Sequence, residues 1–313
     1  MVVAMDGGMW SAQLEVWRSK EMKDRMPNKL LKKWLIRQVE GPAYEWFVGQ
    51  QETLIADPSA RNLYITLGMI PRRLGKGDLQ LSIEDLERAD SLRPGWNPKY
   101  WSVDVAARVT TLLTTFDGAG DFAAAFVDVC RGADVGERMA YYSGLPLYAM
   151  PHTLNDQVAE GLRTNMRSEF EAIAHRNPFP FEQFDDHRWN HMVLKALFVD
   201  STLYPIQGLD ARANSELAQI LCDYAHERWA AGRSVTPELW RCVGPYAEGS
   251  ALEDLERVLG EGNPVSRQAA VLALNACPAS GAQDLLDTVP ELRSMIASGA
   301  LSWKSFKDGA RAS

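Results

Sequence analysis

The stretch Phe184–Phe198, FDDHRWNHMVLKALF, decides how this chain is read. Its apolar residues Trp189, Met192, Val193, Ala196 and Leu197 fall on one face when projected at about 100° per residue, the period of an amphipathic helix. The period-two alternation of Val, Ile and Thr that marks a strand is missing here and elsewhere in the chain. The stretch also carries two histidines four residues apart, His187 and His191, after the pair Asp185-Asp186. They raise the question of whether it is part of a metal or catalytic site or an ordinary packing helix.

Working outward, the spacing predicts three long central helices: Leu154–His175, about Asp185–Val199, and Asn214–Ala231. Before them, Gly41-Pro42 breaks the run NKLLKKWLIRQVE from PAYEWFVGQQETLIA, since proline suits a helix start but not its interior. Ser82 reads as the cap of SIEDLERA. SARNLYITLGMI gives way to a basic turn, PRRLGKGD. After the third helix, ALEDLERVLGEGNPVSRQAAVLALNA reads as helix, turn and helix, like one HEAT hairpin, which buries its faces by stacking on neighbours. The expected fold is all-α: stacked antiparallel helices, an α-α superhelix or HEAT-like solenoid, or a bundle at the centre. The expected division is one domain over residues 1–246 and a HEAT-like tail over 247–313, packed on it as a continuous stack.

At 313 residues the chain can bury a large core, and 46% hydrophobic with 24% charged residues is a globular composition. A net charge of -8 argues against a general nucleic-acid binder, whose affinity rests on basic patches. The four cysteines, Cys130, Cys222, Cys242 and Cys277, are far apart and form no C-x-x-C motif, which suits a reducing cytoplasm. The opening MVVAMDGGMW lacks the layout of a signal peptide, and no apolar run is long enough to span a bilayer.

Polar residues on apolar faces are the stronger functional signal, because a buried charge must be paired. Asp186 and Asn190 fall within the stripe of the second central helix. Glu169 falls between Val158 and Leu162 on the first, with Arg163 at its edge. Arg228 falls between Leu217 and Leu221 on the third. The expectation is that Glu169, Asp186, Asn190 and Arg228 meet between these helices, either as a network fixing helix register or as the polar floor of a ligand cavity. Breaking such a buried pair at Arg228 would cost on the order of 3–5 kcal/mol. Lys195, Asp223, His226, Trp189 and Trp229 are secondary candidates.

His187 and His191, joined by His226 or Asp223, have metal-pair spacing but face away from the core and lack H-E-x-x-H, so no metal is predicted. Arg72, Arg73 and Lys76 lie near glycines, but Gly77 stands where a Walker A loop needs a hydroxyl. No G-x-S-x-G nucleophile motif is present. Asp185-Asp186 resembles the aspartate-rich motif of class I terpene synthases, and NDQVAEGLR (Asn155–Arg163) their second magnesium motif. Ala159 and Arg163 replace its serine and glutamate, and the order is reversed. Ten tryptophans keep this alternative open, an enzyme acting on an isoprenoid diphosphate in an aromatic-lined cavity, with Mg2+ entering only in that case.

Longer phrases carry a more specific resemblance. RPGWNPKYWSVDVAARVTTLL, EGLRTNMRSEFEAIAHRNPFP, WNHMVLKALF, IQGLDARANSELAQILCDYAHERWAAGR and VTPELWRCVGPY resemble the EboA family, from about Ile65 to Tyr246 and most strongly from Leu145 to Tyr246. The resemblance implies a bacterial protein of specialised metabolism that makes or moves a small apolar metabolite, and acts with pathway proteins encoded beside it, a prenyltransferase-like membrane enzyme among them. It brings no established catalytic residues. Positions within the shared phrases are Arg163, Asn165, Glu171, Asn190, Lys195, Asp210, Arg212, Asn214, Asp223, His226, Glu227, Arg228, Trp229, Arg233, Trp240 and Arg241. Glutamine is commoner in the family at the position of His191, which speaks against a shared role for that residue.

Overall fold

The computed structural model describes residues 27–116 and 122–306. The reading of the first ten residues lies outside that range. The chain is all-α. In order, the helices are α1 Pro27–Gln38, α2 Gly41–Ala56, α3 Ala60–Leu74, α4 Ile83–Leu92, α5 Val103–Thr115, α6 Phe122–Gly132, α7 Val135–Ser143, α8 Asn155–Gly161, α9 Arg167–Ala174, α10 Phe179–Gln183, α11 Asp186–Phe198, α12 Ser215–Ala230, α13 Trp240–Val243, α14 Ser250–Glu261, α15 Pro264–Ala276, α16 Ser280–Asp287, α17 Pro290–Ala297 and α18 Trp303–Phe306. Among the described residues, extended pairing is limited to the isolated bridges Asp78↔Ser102 and His175↔Ile206. No helix among them is long and apolar enough to cross a membrane.

The chain folds as two compact units. One runs up to Thr164 and includes Arg176–Phe179; the other takes Asn165–His175 and everything from Pro180 onward. The centre of the first unit is α5, buried nearly all round and packed by α1, α2, α3 and α7. Most of the polar groups on its buried faces find partners within the helix itself. Thr110, Thr111 and Thr115 donate to carbonyls one turn back, and Arg108 pairs with Asp104 at 2.7 Å. Trp34, Trp96 and Trp101 pack ring to ring in this unit, with centroids 5.6 and 5.7 Å apart, so these tryptophans fill core. Ser82 forms the expected capping box, with Asp85. Helix α3 runs on through Pro71 to Leu74, beyond the break expected at PRRLGKGD. Burial of Leu67 and Ile70 offsets the hydrogen bond that Pro71 removes.

In the second unit the helices of FDDHRWNHMVLKALF and of NSELAQILCDYAHERWA form as read. Asp185 and Asn214 cap them, each accepting a backbone N–H three residues on. The first of the three expected central helices does not form as one helix. Leu154–His175 is instead a 3-10 turn over Pro151–Leu154, then α8, an irregular turn, and α9. Gly161 has low helix propensity, and Asn165 accepts a bond from Lys195 Nζ at 2.8 Å rather than continuing the helix. Without that continuity, the projection that put Val158, Leu162 and Met166 on one stripe loses its basis, and Met166 is exposed.

The segment after Tyr246 packs into this unit. Helix α15 lies against α13, α14, α16 and the turn Gly244–Tyr246. The approach is so close that a Cβ on Gly244 would overlap the Ala273 carbonyl oxygen and come within 2.7 Å of the Ala273 Cα. Cys130 in the first unit and Cys222 and Cys242 in the second are buried free thiols, and burial pushes the last two up to about 12.

Candidate functional site

Two helix ends begin the site. Helix α12 stops in a left-handed cap at Gly232 (φ +65°), with Arg233 N–H bonding back to the Arg228 carbonyl at 2.8 Å. The reversal carries Ser234 under Arg228, whose Nε donates to the Ser234 carbonyl at 2.9 Å. Helix α11 stops in the same way, with Asp200 (φ +56°) in the place usually given to glycine and Ser201 N–H bonding to the Ala196 carbonyl at 2.8 Å. Together with the start of α9, the end of α14 and the first turn of α15, these ends wall a half-open groove of about 790 Å³ within the second unit. Its sides carry Arg167, Arg228, Arg257, Trp229, Trp240, Val235, Pro237, Val258 and Val265. Ser201, Thr202 and Glu238 also line it.

Trp229 stacks on the buried Trp240 at 5.9 Å, and the guanidinium of Arg257 lies 4.4 Å over its ring. Arg257 also donates from Nε to Glu261 at 3.1 Å, one helical turn on. Glu238 is buried, and its two oxygens accept the N–H groups of Leu203 and Tyr204 at 2.9 and 3.1 Å, which fixes the loop after α11. Burial raises its pKa above the usual carboxylate value, partly offset by those two amides and by Arg241. Arg241 itself is held in a fork by Asp210 at 2.5 and 2.6 Å.

Ser201, His175 and Glu171 sit beside the groove in a set that resembles a catalytic triad. The geometry argues against that chemistry. His175 Nε2 lies 2.9 Å from the Thr202 carbonyl and 3.1 Å from Ser201 Oγ, so the carbonyl takes its N–H and no lone pair faces the serine. Ser201 donates instead to Glu171 Oε1 at 2.9 Å, and Arg167 Nε donates to the same oxygen at 2.7 Å. Burial pushes Glu171 up, but the Arg167 bond, the His175 charge and the Ser201 hydroxyl outweigh it and leave its pKa lowered. The cluster anchors the loop after α11.

The expected meeting of Glu169, Asp186, Asn190 and Arg228 is corrected by these contacts. Asn190 is buried, as read, but its side chain pairs with Asn214, at 2.9 Å from the Asn214 amide, and reaches Glu216 at 3.4 Å. Asp186 is 72% exposed and pairs with Arg212 at 2.6 Å. Arg212 also donates to the carbonyl of Phe184 at 2.7 Å and lies 4.9 Å over the buried Trp189. Arg228 is half-buried and turned to Ser234, because it sits in the last turn, where the side chain follows the chain reversal instead of the apolar face. Glu169 is buried in the first turn of α9. Arg163 pairs with Glu160 at the surface, and Asp223 accepts from Gln219 on the same helix.

His187 and His191 are exposed and pack edge to face at 4.4 Å. His226 turns away from them to donate to Asp254, at 2.7 and 2.8 Å from its two oxygens. The carboxylates of the terpene-synthase-like pair are also engaged elsewhere, Asp185 as a helix cap and Asp186 with Arg212. Arg167, Arg257 and Glu238 were missed by sequence reading. The spacing of Arg257 and Glu261 marks a helical pair, but nothing local signals that Arg257 reaches Trp229.

A family model described as metabolite traffic protein EboA matches residues 27–244. The chain belongs to the EboA family. No curated protein and no solved structure matches it. The family match spans the first unit as described, the ends of α11 and α12, and Glu238 and Trp240. Arg257 and the first turn of α15 lie beyond it, so the groove combines family positions with residues supplied by the C-terminal segment.

Proposed function

We propose that this EboA-family protein binds a small metabolite in the groove of its second unit and passes it between the enzymes of a specialised pathway in the bacterial cytoplasm. The observation that carries the reading is the groove itself. Its volume of about 790 Å³ is within the range of small-molecule sites, and its mostly polar walls also carry an apolar strip of tryptophan, valine and proline side chains. An apolar part of the ligand would rest on Val235, Pro237, Val258, Val265 and Trp229. The family's description as a metabolite traffic protein supports the same reading. Widely spaced free thiols are in keeping with a reducing compartment.

Native mass spectrometry of the protein purified from its own host cells tests this reading. A stoichiometric small-molecule adduct that is lost on substituting Trp229→Ala is the expected result. A bare protein that gains mass only when pathway proteins are added would replace it with a docking role.

A further inference from the structure

Three guanidinium groups line the groove, and all three are tied down in the same way. Arg167 donates from Nε to Glu171, Arg228 from Nε to the Ser234 carbonyl, and Arg257 from Nε to Glu261. Among the described residues, none of their terminal nitrogens has a hydrogen-bond partner. Each side chain is therefore held by its inner nitrogen, and the two-pronged edge that pairs with carboxylates and phosphates stays available. Arg257 is also held flat by Trp229, which lowers the entropy lost when a ligand engages it.

The carboxylates along the same wall are mostly committed. Both oxygens of Glu238 take backbone amides, and Glu261 takes Arg257. Asp200 is the other acidic residue lining the groove. Arg228 differs from its two neighbours in that its internal partner is a neutral carbonyl, so its charge is not balanced by a bonded carboxylate. We infer that the metabolite carries an oxyanion head group, a carboxylate or a phosphate, that docks on the outer edge of Arg228 with Arg257 and Arg167 beside it, while its apolar body lies along the valine wall. This inference rests on the carrier reading above.

The test is titration of the full chain with inorganic pyrophosphate, with citrate and with uncharged glycerol as a control, followed by tryptophan emission and by calorimetry. Saturable binding of pyrophosphate or citrate, weakened about tenfold or more in Arg228→Gln and again in Arg257→Gln, is the expected result. Saturation by pyrophosphate alone assigns a phosphate head group, and by citrate alone a carboxylate. Arg131→Gln, at an exposed residue of the first unit, should bind like the parent. Melting curves of each variant separate lost binding from lost folding. Absence of saturable binding by either anion overturns the inference, as does equal weakening in Arg131→Gln and Arg228→Gln. A neutral metabolite co-purified with both the parent and Arg228→Gln would also overturn the anion assignment, yet leave the carrier reading standing. Absence of any co-purified metabolite bears on that reading instead.

Discussion

Replacing Gly244 with alanine tests the packing of the C-terminal segment on the family region. Gly244 has helical backbone angles (φ -47°, ψ -49°), so alanine is conformationally welcome there. Taken alone, the change would gain about 0.4–1 kcal/mol by restricting the unfolded chain. The new methyl group, however, would overlap the Ala273 carbonyl oxygen and sit 2.8 Å from its carbonyl carbon. These are backbone atoms inside α15, which cannot rotate aside as a side-chain tip can. Overpacking of this kind costs about 1–3 kcal/mol, occasionally more, so the net expectation is a loss of roughly 1–2 kcal/mol. Gly260→Ala is the matched control. Gly260 is in the last turn of α14, a methyl group added there would meet nothing within 4 Å, and the change should stabilise by up to about 0.5–1 kcal/mol. The assay is urea denaturation of both variants, with hydrogen exchange of the α15 amides to assign the transition that moves. Two substitutions of the same kind should shift stability in opposite directions. If Gly244→Ala is neutral or stabilising with α15 protection unchanged, the close approach of these two segments is wrong.

Arg212→Ala should destabilise by about 2–3 kcal/mol in a thermal or urea melt. The loss comes mainly from the hydrogen bond to the Phe184 carbonyl and the bared Trp189 face, because the ion pair to exposed Asp186 contributes little. Asn190→Ala should cost about 1–3 kcal/mol by leaving the Asn214 side chain short of a partner, and a loss below measurement would remove that pair from the core. Arg228→Ala should cost less than about 1 kcal/mol in denaturant melts, since one bond to a carbonyl is lost at a half-buried site; a loss of about 3 kcal/mol or more would restore the buried network expected from the sequence. Glu238 gives a pH prediction. Its folded pKa is raised by burial, so the stability linked to its protonation is fully present below the unfolded value and is lost as pH rises through the folded one. Urea melts from acid to neutral pH should therefore show the parent gaining stability relative to Glu238→Gln toward acid pH, and a constant gap would refute the raised value.

The helices of the second unit were legible because their signals are local. Asp185 and Asn214 announce their caps, and apolar spacing gives the faces correctly enough to bury Asn190, Trp189 and Leu217. The partners of the polar groups were not legible, for a physical reason. Arg212 comes from a loop, Asp254 and Arg257 from α14 and Ser234 from beyond a left-handed cap, and helical projection carries no information about any of these. Projection also assumes a continuous helix, which failed at Gly161, and a side chain that keeps to its own face, which failed at Arg228 in the final turn. The groove was hidden for the same reason, since helix ends distant in sequence enclose it.

The buried thiols give the molecule its own clocks. A thiol reagent reaches Cys130, Cys222 or Cys242 only when the surrounding structure opens, so alkylation rates report local opening events. One of these residues belongs to the first unit and two to the second, with Cys242 in the short helix that begins at Trp240. Site-resolved labelling of the unmodified protein can therefore time the breathing of each unit separately. It can also reveal whether a bound metabolite slows the opening around Cys242 while leaving Cys130 unchanged.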